Sequence, residues 1–111
     1  MPQLDLACLQ ISPQHLVTLN VLLDKHVPQA DVWAYGSRVT GGAHECSDLD
    51  LVLRNRVDLT QDVPGSMELI ESLQSSTLPM LVDVHLWSEL PASFHRNIEA
   101  AYVVVRKSGF A

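Results

Sequence analysis

Two hydrophobic periods alternate along the chain, and the switches between them mark its elements. From Ser12-Pro13 onward, Leu16, Leu19, Leu23 and Val27 return at three- and four-residue intervals, with Val17 and Leu22 widening the stripe, until Pro28. That spacing predicts a helix. Ser12 is of a type that caps free N–H groups, Pro13 suits the first helical position, and Pro28 disfavours helix just before it. Residues 31–35, Asp-Val-Trp-Ala-Tyr, read as a short strand ended by Gly36. Residues 37–47, with Gly41-Gly42, are too few for a long helix and read as a helical turn and a loop. Residues 48–54, Asp-Leu-Asp-Leu-Val-Leu-Arg, form a second strand. Residues 55–65 are polar with Pro64-Gly65, a loop. Met67, Ile70 and Leu73, with Leu69, predict a helix over 66–76 opened by Ser66. Beyond Pro79, residues 80–87 give a third strand. Residues 91–101 form a last helix, with Phe94, Ile98 and Ala101 on one side. The β-branched run 102–106 is either a final edge strand or an extension of that helix. The order implies a small α/β domain with helices packed on one sheet.

Length and composition narrow the class. A chain of 111 residues is expected to be one domain, residues 1–111. Its 47% hydrophobic content supplies a core and rules out a disordered composition. Thirteen acids face seven bases, for a net charge of -6. That balance argues against direct nucleic-acid binding, which needs a basic face to displace counterions. A nucleotide held through metal ions remains compatible, because the metals bring the positive charge. Cys8 and Cys46 show no CxxC spacing, so reduced thiols in a cytosol are the simple reading. The stretch MPQLDLACLQ lacks the basic and apolar segments of a signal peptide, and no apolar run is long enough to span a membrane. A soluble cytoplasmic protein is expected.

The candidate chemistry lies in AYGSRVTGGAHECSDLDLVL, residues 34–53. Side chains alternate across a strand, so Asp48 and Asp50 share a face, with Cα atoms roughly 7 Å apart. Leu49, Leu51 and Leu53 take the other face. Asp83, inside Met-Leu-Val-Asp-Val-His-Leu-Trp, shares a face with Leu81 and His85. An aspartate between two valines is expected to be costly unless paired or bound to metal. If the two strands are neighbours, three carboxylates converge, and they either share a proton or bind divalent cations. Oxygen-only ligands suit Mg²⁺ or Mn²⁺. Two such ions about 4 Å apart can clamp the attacking and leaving oxygens of a phosphoryl or nucleotidyl transfer. Gly36 lets a backbone N–H approach a ligand with no Cβ in the way. Ser37 offers a hydroxyl and can cap the turn that follows, whose N-terminus favours an anion. Arg38 adds a positive charge.

Other residues are weighed against plainer roles. His15, His26, His44 and His95 show no ligand spacing, so surface or capping roles suit them. His85 shares the Asp83 face, either as a satisfied core histidine or as a group orienting a carboxylate. Cys46, with His44 near it, follows no known nucleophile signature. Trp33 and Tyr35 are read as packing residues, with stacking on a base as the sharper alternative. There is neither a P-loop nor a Ca²⁺ loop.

Gly36-Ser37, ten residues, then Asp48-x-Asp50 is the GSx10DxD signature of the DNA polymerase β-like nucleotidyltransferase superfamily. With the leading helix, VWAYGSRVTG, SDLDLVL and VDVHLW in order, the chain resembles the minimal nucleotidyltransferase (MNT) proteins over nearly its whole length. The resemblance implies a mixed sheet with flanking helices, an α/β fold of the α+β type. It implies Mg²⁺-dependent transfer of a nucleoside monophosphate, with two metal ions and ATP as the substrate. By the same resemblance Gly36 and Ser37 hold the β- and γ-phosphates and Asp48 and Asp50 ligate the metals. Asp83 is then the third ligand and the base for the acceptor hydroxyl. Val39-Thr40-Gly41 stand where many members have Ala-Arg-Gly, which leaves Arg38 as the cation of the turn. Proteins of this type are often antitoxins that transfer AMP onto a tyrosine of a helical HEPN toxin. That implies a hetero-oligomer with the toxin, a homodimer being the other arrangement. Few residues follow Asp83 to enclose a small acceptor, so a partner bringing its own hydroxyl suits the chain. Phe94, Tyr102 and Val103–Val105 are then interface candidates, against a plainer role as core or edge strand. The alternatives are a binding antitoxin tuned by nucleotide and an enzyme acting on a small hydroxylated molecule.

Overall fold

The computed structural model describes residues 3–41 and 48–107. Five strands form one mixed sheet: β1 (Gln3–Leu4), β2 (Ala30–Tyr35), β3 (Leu49–Asn55), β4 (Val82–Leu86) and β5 (Tyr102–Arg106). Their order across the sheet is β1-β5-β2-β3-β4. The outer pairs β1/β5 and β3/β4 are parallel, and the inner pairs β5/β2 and β2/β3 are antiparallel. The helices are α1 (Pro13–His26), the single turn α2 (Ser37–Thr40), α3 (Ser66–Gln74) and α4 (Ala92–Ala100), with 3₁₀ turns at Leu6–Cys8 and Trp87–Glu89.

The two faces of the sheet are sorted by the parity of the strands. Val32 and Ala34 of β2 and Leu49, Leu51 and Leu53 of β3 are buried with Leu19 and Leu23 of α1 and Leu69 and Leu73 of α3. This is the larger core, and the leucine face expected for β3 is its floor. Trp33 and Val52, of opposite parity, pack with Trp87 and with Ile98 of α4. Asp50 belongs to this second face. The short α4 covers it beside Trp33 and Val52, while Asp50 stays half-buried and Asp83 exposed.

Three sequence expectations change. Residues 102–106 are a strand, but an interior one: β5 lies between β2 and β1. Val103 and Val105 are buried in the core, and the half-buried Tyr102 stacks on Trp33 at 3.9 Å. The two-residue β1, too short to show a period, is what removes β5 from the edge. Ser12 precedes α1 as expected, yet its side chain makes no capping bond; its Oγ lies 2.7 Å from His15 Nδ1. Gly36, not Ser37, is the N-cap of α2. The loop positions Gly42, His44 and Cys46 lie outside the described residues.

Trp33, Trp87 and Arg54 form an aromatic brace beneath α4. The Arg54 guanidinium carbon sits 3.8 Å from the Trp33 ring centroid and 4.5 Å from that of Trp87. His95 stacks on Trp87 at 3.9 Å and donates Nε2–H to the Trp87 carbonyl at 2.7 Å. Burial pulls the Arg54 pKa down, partly offset by Asp31, Glu99 and Tyr102.

Candidate active site

The strand registers assemble the site. Tyr35 of β2 is the direct partner of Asp50 of β3, and Asp50 is the direct partner of Asp83 of β4. Adjacent strands lie about 4.8 Å apart, so Tyr35, Asp50 and Asp83 form one row across the sheet on the α4 face. The next row along the strands is Trp33, Val52 and His85. Phe94, in the first half of α4, borders both rows, with ring centroids 5.9 Å from Tyr35 and 6.5 Å from His85.

Gly36 closes the row from above. Its φ of 83° and ψ of -158° lie where residues with a Cβ are strained. A Cβ placed there would run into the Asp50 carboxylate. The backbone therefore passes directly over Asp50 and begins α2. The Ser37 side chain is exposed at this turn, and Thr40 Oγ1–H donates to the Gly36 carbonyl at 3.2 Å.

The electrostatics show an acidic cluster under mutual repulsion. Burial raises the Asp50 carboxyl above the usual range; repulsion from Asp83 and Asp48 raises it further, and His85 opposes this. The Tyr35 phenol is pushed up to about 12, by burial first and then by Asp50 and Asp83. It stays protonated through the neutral range and is a hydrogen-bond donor at the edge of the cluster.

Two expectations about these residues are corrected. Asp83 is not buried among apolar neighbours: β4 is the edge strand, and Asp83 and His85 are exposed on it. Arg38 is not offered at the turn. It is 6% exposed, and its Nη1–H donates to the Gln10 carbonyl at 2.6 Å while Gln10 N–H donates to the Arg38 carbonyl at 2.7 Å. The guanidinium ties the N-terminal segment to α2. The structure also adds Tyr35 and Phe94 to the site. The signal for Tyr35 was its place directly before Gly36, but its pairing with Asp50 depends on a register that the sequence does not display.

Among the described residues no three Asp, Glu, His or Cys side chains stand as a ready-made metal cage. Asp50 and Asp83 are brought side by side, and Asp48, exposed just before β3, acts on Asp50 through its charge. The donors nonetheless fit a hard divalent cation. Mg²⁺ is typically bound through one or two carboxylates and completes its shell with water and substrate phosphates, and a cation would relieve the repulsion that raises Asp50. A cleft of about 730 Å³ lies elsewhere, between the end of α1 and the loop after β3, lined by residues that include His26, Val57 and Pro64.

The nucleotidyltransferase domain family matches residues 18–105, which include the whole site. The chain belongs to the nucleotidyltransferase family. This nucleotidyltransferase is 36% identical over 101 residues to the "Probable protein adenylyltransferase MntA" of Haemophilus influenzae, covering 91% of this chain and 87% of that protein. That likeness places it with the minimal members of the family. A solved structure, "Crystal structure of the toxin-antitoxin with AMP-PNP", shares the fold with a TM-score of 0.66 at 17% identity, over 88% of this nucleotidyltransferase and 76% of that chain. The family implies a nucleotide substrate and a divalent metal ion. No helix among the described residues is long and apolar enough to cross a membrane.

Proposed function

We propose that this nucleotidyltransferase transfers AMP from ATP, with Mg²⁺, to a hydroxyl of a HEPN toxin partner, a tyrosine by the family resemblance, and so acts as an antitoxin. The observation that carries the reading is the meeting of the Gly36 turn with Asp50 and Asp83: the GSx10DxD elements, apart in sequence, close on one point. The MntA likeness supports protein adenylylation as the form of the transfer.

In this reading Asp48, Asp50 and Asp83 would hold two Mg²⁺ ions. Bound there, Mg²⁺ would supply the positive charge that carries the triphosphate and the charge developing on the transferred group. Gly36, lacking a Cβ, lets the backbone approach the β- and γ-phosphates, and the exposed Ser37 hydroxyl joins it. Asp83, exposed at the sheet edge, is reachable by an acceptor hydroxyl and takes its proton. The acceptor oxygen then bonds to the α-phosphorus, the bond from that phosphorus to the β-phosphate bridge breaks, and pyrophosphate leaves. Arg38 contributes by fixing α2 to the N-terminal segment, and Phe94 and Tyr35 wall the side nearest α4.

The test is a transfer assay. Purified protein, Mg²⁺ and α-labelled ATP are added to a lysate of the source organism, beside Asp48→Asn/Asp50→Asn. A labelled protein band is expected with the wild type alone, and mass spectrometry of the band should find a HEPN protein carrying AMP. A toxin neutralised equally well by the double variant would overturn the catalytic reading in favour of inhibition by binding.

A further inference from the structure

We propose that the outer edge of β4 is the docking site for the acceptor protein, which adds an extended segment to the sheet and so sets its hydroxyl side chain beside Asp83. What happens to that hydroxyl rests on the transferase reading above; where the segment binds rests on the edge alone. β4 is the last strand of the sheet and, among the described residues, pairs with β3 only. Leu49 N–H donates to the Leu81 carbonyl at 2.8 Å. In the alternation of a parallel ladder this turns the main-chain groups of Asp83 and His85 toward β3, and those of Val82, Val84 and Leu86 outward. Such a row is a template for another strand. Proline and lysine, which commonly blunt an edge, are absent from Val82–Leu86.

The surroundings specify the occupant. A groove of about 310 Å³ runs along this edge, with Met67, Ile70, Val84 and Leu86 as its apolar lining and His85 and Glu89 among its polar lining. Met67 is 66% exposed. An added strand would lay alternate side chains over the Met67, Ile70, Val84 and Leu86 side of this groove and present the others on the face of Asp83 and His85. A side chain directly opposite Asp83 has its Cβ about 5 Å away, within reach of a serine, threonine or tyrosine hydroxyl. The segment is therefore apolar, hydroxyl, apolar in alternation. Charge complementarity adds basic flanks, because Asp48, Asp50 and Asp83 gather at the start of this edge and Glu89 lines the groove beyond its end, in a chain of net charge -6. A second copy pairing edge to edge would bring another chain of net charge -6 against this acidic edge, which disfavours self-association. Main-chain pairing supplies the affinity, and the alternate side chains supply the choice of partner.

The test separates docking from catalysis. A displayed library of random octapeptides is selected on the wild-type protein without nucleotide. The best binder is then measured against Val84→Pro, which removes an outward N–H, and against Met67→Glu, an exposed change on α3 that leaves the sheet untouched. Expected are an enriched apolar-hydroxyl-apolar pattern with basic flanks and at least tenfold weaker binding to both variants. Amide exchange at Val82, Val84 and Leu86 should slow at least tenfold when the peptide is bound, and a backbone N-methylated peptide should not slow it. Failure of the library to enrich any such pattern would overturn the proposal. So would binding that both variants leave unchanged, or a wild-type dimer that Val84→Pro turns into monomer, since a second copy would then occupy the edge. A binder that protects β4 but accepts no AMP would leave the docking site standing and count against the transferase reading alone.

Discussion

One methyl group at residue 36 tests the geometry of the whole site. The Gly36 backbone conformation is confined almost entirely to glycine, and an alanine Cβ would also meet the Asp50 carboxylate. Gly36→Ala is expected to lower unfolding free energy by about 1–3 kcal/mol from backbone strain alone, read from urea midpoints, and to abolish nucleotide binding. A Gly36→Ala variant as stable as wild type would mean that the turn does not lie over Asp50. Asp50 itself gives a pH signature. Its carboxyl is raised, chiefly by burial and then by Asp83 and Asp48. The native state therefore binds that proton more tightly than the unfolded chain does. Wild type carries a penalty above the raised value and sheds it as pH falls toward about 4, the ordinary value of an unfolded aspartate. In chelator, Asp50→Asn should be the more stable protein at pH 7, with its advantage shrinking as the pH falls. A pH-independent difference between the two would remove the charge explanation.

At the scale of elements, the cation–π brace holds α4 against the sheet. Arg54 lies between the Trp33 and Trp87 rings, in the pairing row beyond Val52 on the same face as Asp50. Lysine keeps the charge but not the broad, flat guanidinium that packs against both indoles. Arg54→Lys is expected to cost about 1–2 kcal/mol, read as a lower urea midpoint with an unchanged slope; an unchanged midpoint would show that this packing contributes nothing. None of this was visible in the chain, because the brace joins residues from β2, β3 and the turn after β4, and only the fold makes them neighbours. The helices α1, α3 and α4 were legible for the opposite reason: their signals are local periods and prolines. Arg38 misled for a related reason. Beside Gly-Ser it reads as a surface cation, and only the return of the N-terminal segment past α2 shows it buried against Gln10.

For the whole molecule, the sequence was most informative where period two met charge. Asp48-x-Asp50 and Asp83 were readable as one face of two strands because the strands' leucines and valines fixed the parity. The adjacency of those strands was not readable, nor was the placement of Asp83 on an open edge, since both depend on the order β1-β5-β2-β3-β4. That order leaves the site exposed on one side and acidic, so the free protein stores repulsion that ligand can relieve. Mg²⁺ with ATP should accordingly stabilise it by binding the native state. At a ligand concentration of 100 times Kd the gain is about 2.7 kcal/mol, a rise in Tm of about 10 °C or somewhat more for a domain near this size. Mg²⁺ alone should give a smaller rise, because two or three carboxylates without phosphates leave its shell mostly water. Asp48→Asn/Asp50→Asn should start from a higher Tm than wild type in chelator and gain nothing from Mg²⁺ and ATP. The crossing of the two proteins, one more stable empty and the other more stable loaded, is what separates a ligand site from a merely structural cluster. A double variant that is less stable empty, or a wild type indifferent to millimolar Mg²⁺ and ATP, would count against the site as a whole.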